Sequence, residues 1–541
     1  MRSPIGASLC AALACLWAFT IQAQTPPRLE RNGQATQLMV DGEPYLIIGG
    51  ELHNSSASSP AYMAPVWDRL ARNHVRTVIG VASWELVEPK EGQYDFTAVD
   101  DQIGQAEARG MRLVMIWFGG FKNADSVYTP SWVRRDRQRF PRVERDPTIK
   151  PRGIVAYLGL NPTVSLFSEA LLQADMRAFA ALMRHIRQTD RKQTVIMVQV
   201  ENEVGLLGDS RDRSPLALAA WRRPVPSALL AYMRDNRASL RPELLAAWER
   251  NGFRNRGTWA EVFGTDKVAD EIFMAWSFGS YVERVARAGA AEHPLPMYTN
   301  AWLGPTPGAA EPGDYPSGGP VAHMMDVWKA AAPTLSLLAP DIYVPGFADV
   351  LASYKRPDNP IFVPEARNDA GNLFVALGRY DAIGFAPFGI EDVAEGSDLF
   401  EAYKLLNEMT GQVARAQAAG NIRGFRIAKG ERGTETLGGY AITISGPFST
   451  IGAMGAGTGT DAAPAEAGYG LVIASGKDEF LIVGRGIDVR FAAPGEQVEI
   501  DSAQEGVFEK GRWIPGRTMN GDERYALLPK DGLRMTLLRH R

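Results

Sequence analysis

Eight apolar stretches, separated by segments with helical spacing, constrain the fold of this chain more than any other feature. They are residues 45–56, 75–84, 111–120, 194–200, 295–302, 335–344, 360–369 and 380–390. Most are continuously apolar instead of alternating, which is typical of parallel strands buried on both faces. Before the fourth stretch, one helix face carries Leu172, Met176, Phe179, Met183 and Ile186. Eight parallel strands with intervening helices predict a (β/α)8 TIM barrel.

The sequence on either side of the last stretches indicates how the chain divides. Residues 222–252 are mostly helical in pattern, so the long gap between the fourth and fifth strands is an elaborated loop. After about residue 415, short β-like runs alternate with turn signals such as SGKDE and NGDE. We therefore predict a catalytic barrel over residues 24–410 and an all-β sandwich over residues 415–541.

The first residues are similar to an export signal. Arg2 precedes a short apolar run, and Ala23 stands at a plausible cleavage point. Residues 1–23 are therefore predicted to be a signal peptide, and the mature protein to be periplasmic or secreted. A membrane anchor and a lipoprotein modified at Cys15 are the alternatives. Both cysteines, Cys10 and Cys15, fall in this leader, so the mature chain is expected to contain no disulfide.

Composition and motifs exclude several classes of function. The formal net charge of -4 gives no reason to expect a nucleic-acid partner. No apolar run beyond the leader is long enough for a membrane span. The six histidines are scattered, without a metal-binding motif, and no nucleotide-binding glycine motif occurs. We expect neither a metal nor an organic cofactor; the oligomeric state is left open.

Carboxylates follow two of the predicted strands. Glu201 and Glu203 flank Asn202 at the end of the fourth, and Glu365 ends the seventh. An ionised carboxylate is costly to desolvate, so buried strands rarely end this way without a reason. In a TIM barrel the catalytic groups stand at the carboxyl ends of the strands, and two carboxylates suffice to cleave a glycosidic bond. A single acid at a strand end is more often a loop or capping group. Acids at the ends of two different strands are a much more specific sign of a catalytic pair.

The motifs around these acids resemble those of glycoside hydrolase family 35, the β-galactosidases of a large clan with Asn-Glu at the fourth strand. QVENEVG (199–205) is similar to the family's QxENEYG, and SWELVEPKEGQYDF (83–96) to its WNxHEPxxGxYDF. The resemblance extends over residues 40–400. It is strongest to a bacterial subgroup whose barrel carries a C-terminal β domain and some of whose members act on galactosylated xyloglucan.

The resemblance implies a role for each matching residue. Glu203 would be the acid/base and Glu365 the nucleophile. Asn202 would bind the sugar 2-hydroxyl, and Tyr343 would hydrogen-bond the nucleophile. Glu201 would support the catalytic residues without contacting the sugar. The sequence departs from the family pattern at residues 85–87 and at Val204; these departures leave the catalytic pair intact and affect the shape of the substrate subsites.

Other residues are candidates by position alone. Each has an alternative structural explanation, namely core packing for the tryptophans and loop hydrogen bonding for the polar groups. They are Glu51 and His53 after the first strand; Trp84, Trp117 and Trp302 for stacking on sugar; Lys122 and Asn123 for the galactose 4- and 6-hydroxyls; Glu88 as a loop tether; and Arg367.

These observations predict a retaining, exo-acting β-galactosidase that removes terminal galactose from oligosaccharides or from plant wall side chains such as xyloglucan. Large loops over the barrel mouth, in residues 205–293 and 301–320, favour a closed pocket over an open groove. Two other functions remain open: another retaining glycosidase of the clan, such as an endo-β-mannanase or endoglucanase, and a non-catalytic carbohydrate-binding protein.

Overall fold

The structure, a computed structural model, describes residues 25–447, 466–519 and 532–540. The predicted signal peptide, with Cys10 and Cys15, lies outside these residues. The described chain begins with a small antiparallel sheet of three strands, which the sequence analysis did not identify. Its strands are β1 (Arg28–Asn32), β2 (Ala35–Val40) and β3 (Glu43–Tyr45), in the order β1-β2-β3.

The eight predicted parallel strands are present and form one sheet. They are β4 (Ile47–Glu51), β5 (Thr77–Ser83), β6 (Arg112–Lys122), β7 (Val195–Asn202), β8 (Met297–Trp302), β9 (Leu337–Ile342), β10 (Glu365–Ala366) and β11 (Gly384–Phe385). The sheet runs in the order β10-β9-β8-β7-β6-β5-β4-β11. A parallel bridge between Val363 and Phe385 joins the two ends of the sheet. The sheet is thus closed, and the prediction of a TIM barrel is confirmed.

Helices surround the sheet and fill the connections. They are α1 (Pro60–Arg72), α2 (Trp84–Val87), α3 (Thr97–Ala108), α4 (Ser131–Arg135), α5 (Gly153–Leu158), α6 (Glu169–Thr189), α7 (Pro215–Trp221), α8 (Ser227–Asp235), α9 (Pro242–Arg250), α10 (Trp259–Phe263), α11 (Lys267–Glu292), α12 (Met325–Ala331), α13 (Phe347–Tyr354), α14 (Ala370–Arg379), α15 (Asp398–Asn407) and α16 (Thr410–Ala419). In α6 the predicted apolar face is buried, apart from Met176, which is partly buried. Among the described residues, no helix combines the length and apolarity needed to cross a lipid bilayer.

The interior of the barrel is a packed apolar core. Ile79, Val114, Ile116 and Ile196 from neighbouring strands belong to it. The small N-terminal sheet contributes Leu38 from β2, which is completely buried in the same cluster. Because β3 leads directly into the start of β4, this sheet covers the amino-terminal end of the barrel. The opposite end, at the carboxyl ends of the strands, is where the functional residues of a TIM barrel lie.

After α16 the chain forms two antiparallel sheets. The strands are β12 (Ile422–Ala428), β13 (Arg432–Leu437), β14 (Tyr440–Ser445), β15 (Ala467–Gly476), β16 (Glu479–Arg485), β17 (Asp488–Ala492), β18 (Gln497–Glu509), β19 (Arg512–Thr518) and β20 (Leu533–His540). One sheet has the order β12-β15-β16-β20-β18-β19 and the other β13-β14-β17. Ile442, Ile444 and Phe480 are among the residues that pack between them. The predicted C-terminal all-β fold is therefore confirmed.

The β domain packs closely on the barrel through α14. The ring of Tyr469 stacks on Phe374, with centroids 5.2 Å apart. A Cβ atom added to Gly424 would lie 1.9 Å from the carbonyl oxygen of Phe374, so only glycine permits this approach. The larger sheet therefore has apolar contacts on both faces, one with the smaller sheet and one with the barrel.

Candidate active site

The end of β7 has an unusual backbone. Glu201 and Glu203 have φ values of 62° and 45°, in the left-handed region that non-glycine residues rarely adopt. The amide of Glu203 donates a 2.9 Å hydrogen bond to Oδ1 of Asn300 on β8, and Nδ2 of Asn300 donates at 2.7 Å to Asp341 on β9. Three adjacent strands thus hold this backbone in place. Such strain persists only where the surroundings impose it, and it is common at active sites.

The carboxyl group of Glu203 is nearly buried, with 8% of the residue exposed. Burial, followed by the nearby charge of Glu365, raises the pKa of Glu203 to about 8. Lys122 and a hydrogen bond with Asp341 act in the opposite direction. Near neutral pH this group is therefore largely protonated and able to donate a proton.

Glu365, on β10, has a different environment. The hydroxyl of Tyr343 donates a 2.5 Å hydrogen bond to its Oε1. Burial raises the pKa of Glu365, and the Tyr343 hydrogen bond and the charge of Lys122 offset this rise only in part by favouring the ionised form. Two carboxyl groups in one site thus have environments that separate their protonation states, which is the usual arrangement for an acid paired with a nucleophile.

Lys122 is the cation common to these groups. It ends β6, only 9% of it is exposed, and its charge lowers the pKa values of Glu51, Glu203 and Glu365. A single ammonium group thereby stabilises negative charge in a site crowded with carboxylates. The expectation that it contacts sugar hydroxyls stays a prediction.

Several buried oxygen atoms in this region have no hydrogen-bond partner within the described structure. They are both carboxyl oxygens of Glu51, Oδ1 of Asn123, Oδ1 of Asn202, the hydroxyl of Tyr298 and Oδ1 of Asp341. Burial and the neighbouring charge of Glu365 raise the pKa of Glu51 well above its ordinary value. Buried polar atoms normally have partners, so a group of unpaired oxygens around two functional carboxyls indicates a site for a hydroxylated ligand.

Glu201 lies on the opposite side of β7 from this ligand-facing group. Its carboxyl oxygens accept hydrogen bonds from the amides of Gly120 at 3.2 Å and Phe121 at 2.7 Å. Completely buried Asp175 stands beside it and accepts from the indole of Trp117, the hydroxyl of Tyr281 and the amide of Gly120. Glu201 therefore fixes the ends of β6 and β7, as the sequence analysis expected of a supporting residue.

The tryptophans differ from the expectation that they stack on sugar. Trp84 and Trp117 are completely buried, their rings 6.4 Å apart, and the Trp84 indole donates to Glu88 at 2.7 Å. Neither ring offers a free face to a ligand, so both are core residues. Glu88 also accepts from the amide of Gly92 and is a loop tether. Trp302 is half-buried at the end of β8.

The remaining candidates lie at the edge of the site. His53 is 2.7 Å from Asp392 through Nε2, and its amide donates to Glu391. Arg367 is exposed. Asn300, Tyr298 and Asp341 were missed by the sequence analysis. In the described ranges, no group of three or more His, Cys, Asp or Glu side chains is arranged to hold a metal ion.

Comparison with known proteins adds to this geometry. Residues 64–229 match the β-galactosidase family model. This range includes β5, β6 and β7 with Asn202 and Glu203, but not Glu365. The model is that of family 42 and not of family 35, so the specific family indicated by the motifs is not confirmed; β-galactosidases are what the two have in common. Residues 399–529 match a domain of unknown function, DUF5597.

Individual relatives match over parts of the chain. A β-galactosidase of Xanthomonas manihotis is 27% identical over 232 residues, which is 42% of this chain and 32% of the relative. This chain therefore covers about a third of that protein. Among solved structures, β-galactosidases of Rahnella sp. R3 and Bacillus circulans sp. alkalophilus are each 14% identical, with TM-scores of 0.44 and 0.45. Each alignment covers 69% of this chain and 57% of the solved one.

Proposed function

We propose that this protein is a retaining β-galactosidase. The observation that carries the proposal is the pairing of Glu203, whose pKa is raised to about 8, with Glu365, which accepts the 2.5 Å hydrogen bond from Tyr343. An acid and a nucleophile on different strands of one barrel can cleave a glycosidic bond with retention. The match of residues 64–229 to a β-galactosidase family model supports galactose as the sugar.

In the proposed reaction, ionised Glu365 attacks the anomeric carbon while protonated Glu203 donates its proton to the leaving oxygen. A covalent galactosyl ester on Glu365 results. Esterification removes the negative charge of Glu365, one of the causes of the raised pKa of Glu203. That pKa therefore falls, and Glu203 becomes the base that activates water for the second step. Asn300 and Asp341 keep Glu203 oriented during both steps.

We further propose the finer substrate and family assignment made from the motifs. The long segments that follow β7 and β8, within residues 205–293 and 301–320, leave the barrel at the carboxyl ends of these strands and support removal of a terminal galactose over cutting within a chain. The QVENEVG and SWELVEPKEGQYDF motifs support a relation to family 35 and, with it, galactosylated xyloglucan as a natural substrate. The leader-like residues 1–23 support export to the periplasm or medium.

Hydrolysis of a panel of nitrophenyl glycosides tests the proposal. We expect kcat/KM for the β-galactoside to exceed that for the β-glucoside and β-mannoside by at least about a hundredfold, because buried hydrogen bonds can discriminate one hydroxyl. Galactose should be released from xyloglucan oligosaccharides without backbone cleavage. Equal rates on the glucoside, or a loss of polymer viscosity, would favour an endo-acting glycosidase; inactivity on every glycoside would favour a non-catalytic protein.

Glu203→Gln tests the role of the acid. This variant should lose activity strongly on the nitrophenyl β-galactoside but much less on the dinitrophenyl one, whose leaving group needs little protonation. Azide should restore turnover as β-galactosyl azide. Glu395→Gln, at an exposed glutamate in the ion pair with Arg72, is the matched control and should behave as wild type. Equal losses of Glu203→Gln on both leaving groups would reassign the acid.

A further inference from the structure

A cavity of about 870 Å³ lies at the carboxyl ends of β8 and β9. Its walls come from the loop after β8, the turn after β9, the beginning of α9 and one side of α13. The mechanism proposed above makes no use of these walls. A volume of this size is in the upper part of the range found for pockets that bind small organic molecules.

The cavity adjoins the candidate active site on the same face of the barrel. Leu303 lines it and directly follows Trp302, the last residue of β8. Val344 lines it and directly follows Tyr343, the hydrogen-bond donor to Glu365. Adjacent Cα atoms are about 3.8 Å apart, so the lining of the cavity continues along the chain from Trp302 and Tyr343. A substrate that extended from the active site past these two residues would enter the cavity.

The walls have the chemistry of a site for a neutral hydroxylated molecule. Leu303, Pro305 and Val350 provide apolar surface for the C–H faces of sugar rings. Glu243 and Asp349 are exposed carboxylates that can accept hydrogen bonds from hydroxyl groups.

Arg241 contributes a donor to the same wall. One nitrogen of its guanidinium donates a hydrogen bond to the carbonyl of Ser353, which also lines the cavity. His323, 3.0 Å from Glu271, also lines the cavity, so the wall carries Glu243 and Asp349 beside Arg241 and a histidine and has no single strong charge. This mixture favours neutral polyols over phosphate or sulfate esters.

We infer that this cavity binds the leaving part of the substrate, a neutral oligosaccharide of two or more sugar residues to which the terminal galactose is attached. The inference rests on the proposed function, since the galactose must occupy the site formed by Glu203 and Glu365. It assigns recognition of the leaving group to Glu243, Asp349 and Arg241. A nitrophenyl group is too small to occupy this cavity, so these residues should matter only for oligosaccharides.

The test compares two substrates in the full-length enzyme. The variants are the double substitution Glu243→Gln with Asp349→Asn, which removes both charges at nearly constant volume, and Val350→Trp, which fills the cavity. The control is Glu249→Gln, an exposed glutamate on α9 outside the cavity. We expect kcat/KM for a galactosylated xyloglucan oligosaccharide to fall at least about tenfold in both cavity variants, with kcat/KM for nitrophenyl β-galactoside changed less than about twofold.

Binding supplies a second readout that does not depend on turnover. In the Glu203→Gln background, calorimetry should show the intact oligosaccharide binding at least about tenfold more tightly than galactose, and this difference should be lost on adding the cavity substitutions. Equal losses of kcat/KM on both substrates in the cavity variants, or no loss on either, would overturn this inference but not the proposed β-galactosidase function. A wild-type enzyme inactive on nitrophenyl β-galactoside would refute the proposed function instead. Oligosaccharide binding that the cavity substitutions do not weaken would refute the cavity assignment in that case too.

Discussion

Replacing Tyr343 by phenylalanine removes one hydroxyl group and keeps the ring that lies at the end of β9. The hydroxyl donates a 2.5 Å hydrogen bond to Oε1 of Glu365, and this bond lowers the pKa of the carboxyl group. A hydrogen bond to an ionised group contributes about 1.5–3 kcal/mol, which corresponds to about 1–2 pKa units. Because Tyr343 is 36% exposed, water screens part of this effect, and we expect about 1 unit.

The direction of the pH effect follows from the form of Glu365 that reacts. The nucleophile must be ionised, so activity is lost as the pH falls through its pKa in the free enzyme. Tyr343→Phe raises that pKa, and the acid limb of the kcat/KM profile should move to higher pH by about 1 unit. The alkaline limb, which follows the ionisation of Glu203 and is seen with the mononitrophenyl substrate, should move little.

The assay is the pH profile of kcat/KM on dinitrophenyl β-galactoside, which reports the nucleophile because its leaving group needs little protonation. At the optimum, kcat should fall by about tenfold to a hundredfold, since the lost bond also orients Glu365. Tyr62→Phe, at an exposed tyrosine on α1, is the control. An acid limb within about 0.3 unit of the wild-type position would refute the reasoning, whatever happened to kcat.

Two further predictions concern stability. Because the pKa of Glu203 is raised to about 8 in the folded chain, its stabilising effect is present at low pH and is lost as the pH rises towards about 8. In urea unfolding, the free energy of unfolding of Glu203→Gln relative to that of the wild type should therefore rise by up to about 1.4 kcal/mol per pH unit between about pH 5 and pH 8. A difference that stays constant with pH would contradict this. Gly424→Ala should destabilise the protein by about 1–3 kcal/mol or more, since its Cβ would lie 1.9 Å from the oxygen of Phe374. Gly104→Ala on α3, where a Cβ meets nothing within 4 Å, should be neutral or stabilising; equal effects at the two glycines would argue against a tight junction.

The barrel could be predicted because its strands have a strong local signal. Continuous apolar runs such as that of β7 distinguish buried parallel strands from amphipathic ones, and length separates them from helices. The strands β1, β2 and β3 were missed because all three are short, β1 is largely exposed and β3 partly so, and only the contact of the sheet with the barrel shows its role. Periodicity carries no information about such a contact.

The candidate site divides in the same way. Glu203 and Glu365 could be proposed as the catalytic pair because a carboxylate at the end of a buried strand is costly without a function, and because the surrounding motifs resemble those of a known family. Asn300 and Asp341 could not, since their importance lies in hydrogen bonds between strands that are distant in the sequence. Trp84 and Trp117 were misassigned because position at a strand end does not determine which way a ring points. The unpaired oxygen atoms of Glu51 are likewise visible only in three dimensions.

The small sheet at the amino-terminal end of the barrel has a consequence for how the protein folds. Leu38 on β2 shares a buried cluster with Ile383 and Ala386, the residues on either side of β11, which is the last barrel strand to be synthesised. On the ribosome, therefore, the small sheet completes its contacts with the barrel only after the last barrel strand has been synthesised. Contacts of such long sequence separation slow folding and leave apolar surface exposed in the meantime. Substitutions at Leu38 should thus lower the yield of folded protein more than their effect on the finished molecule would suggest.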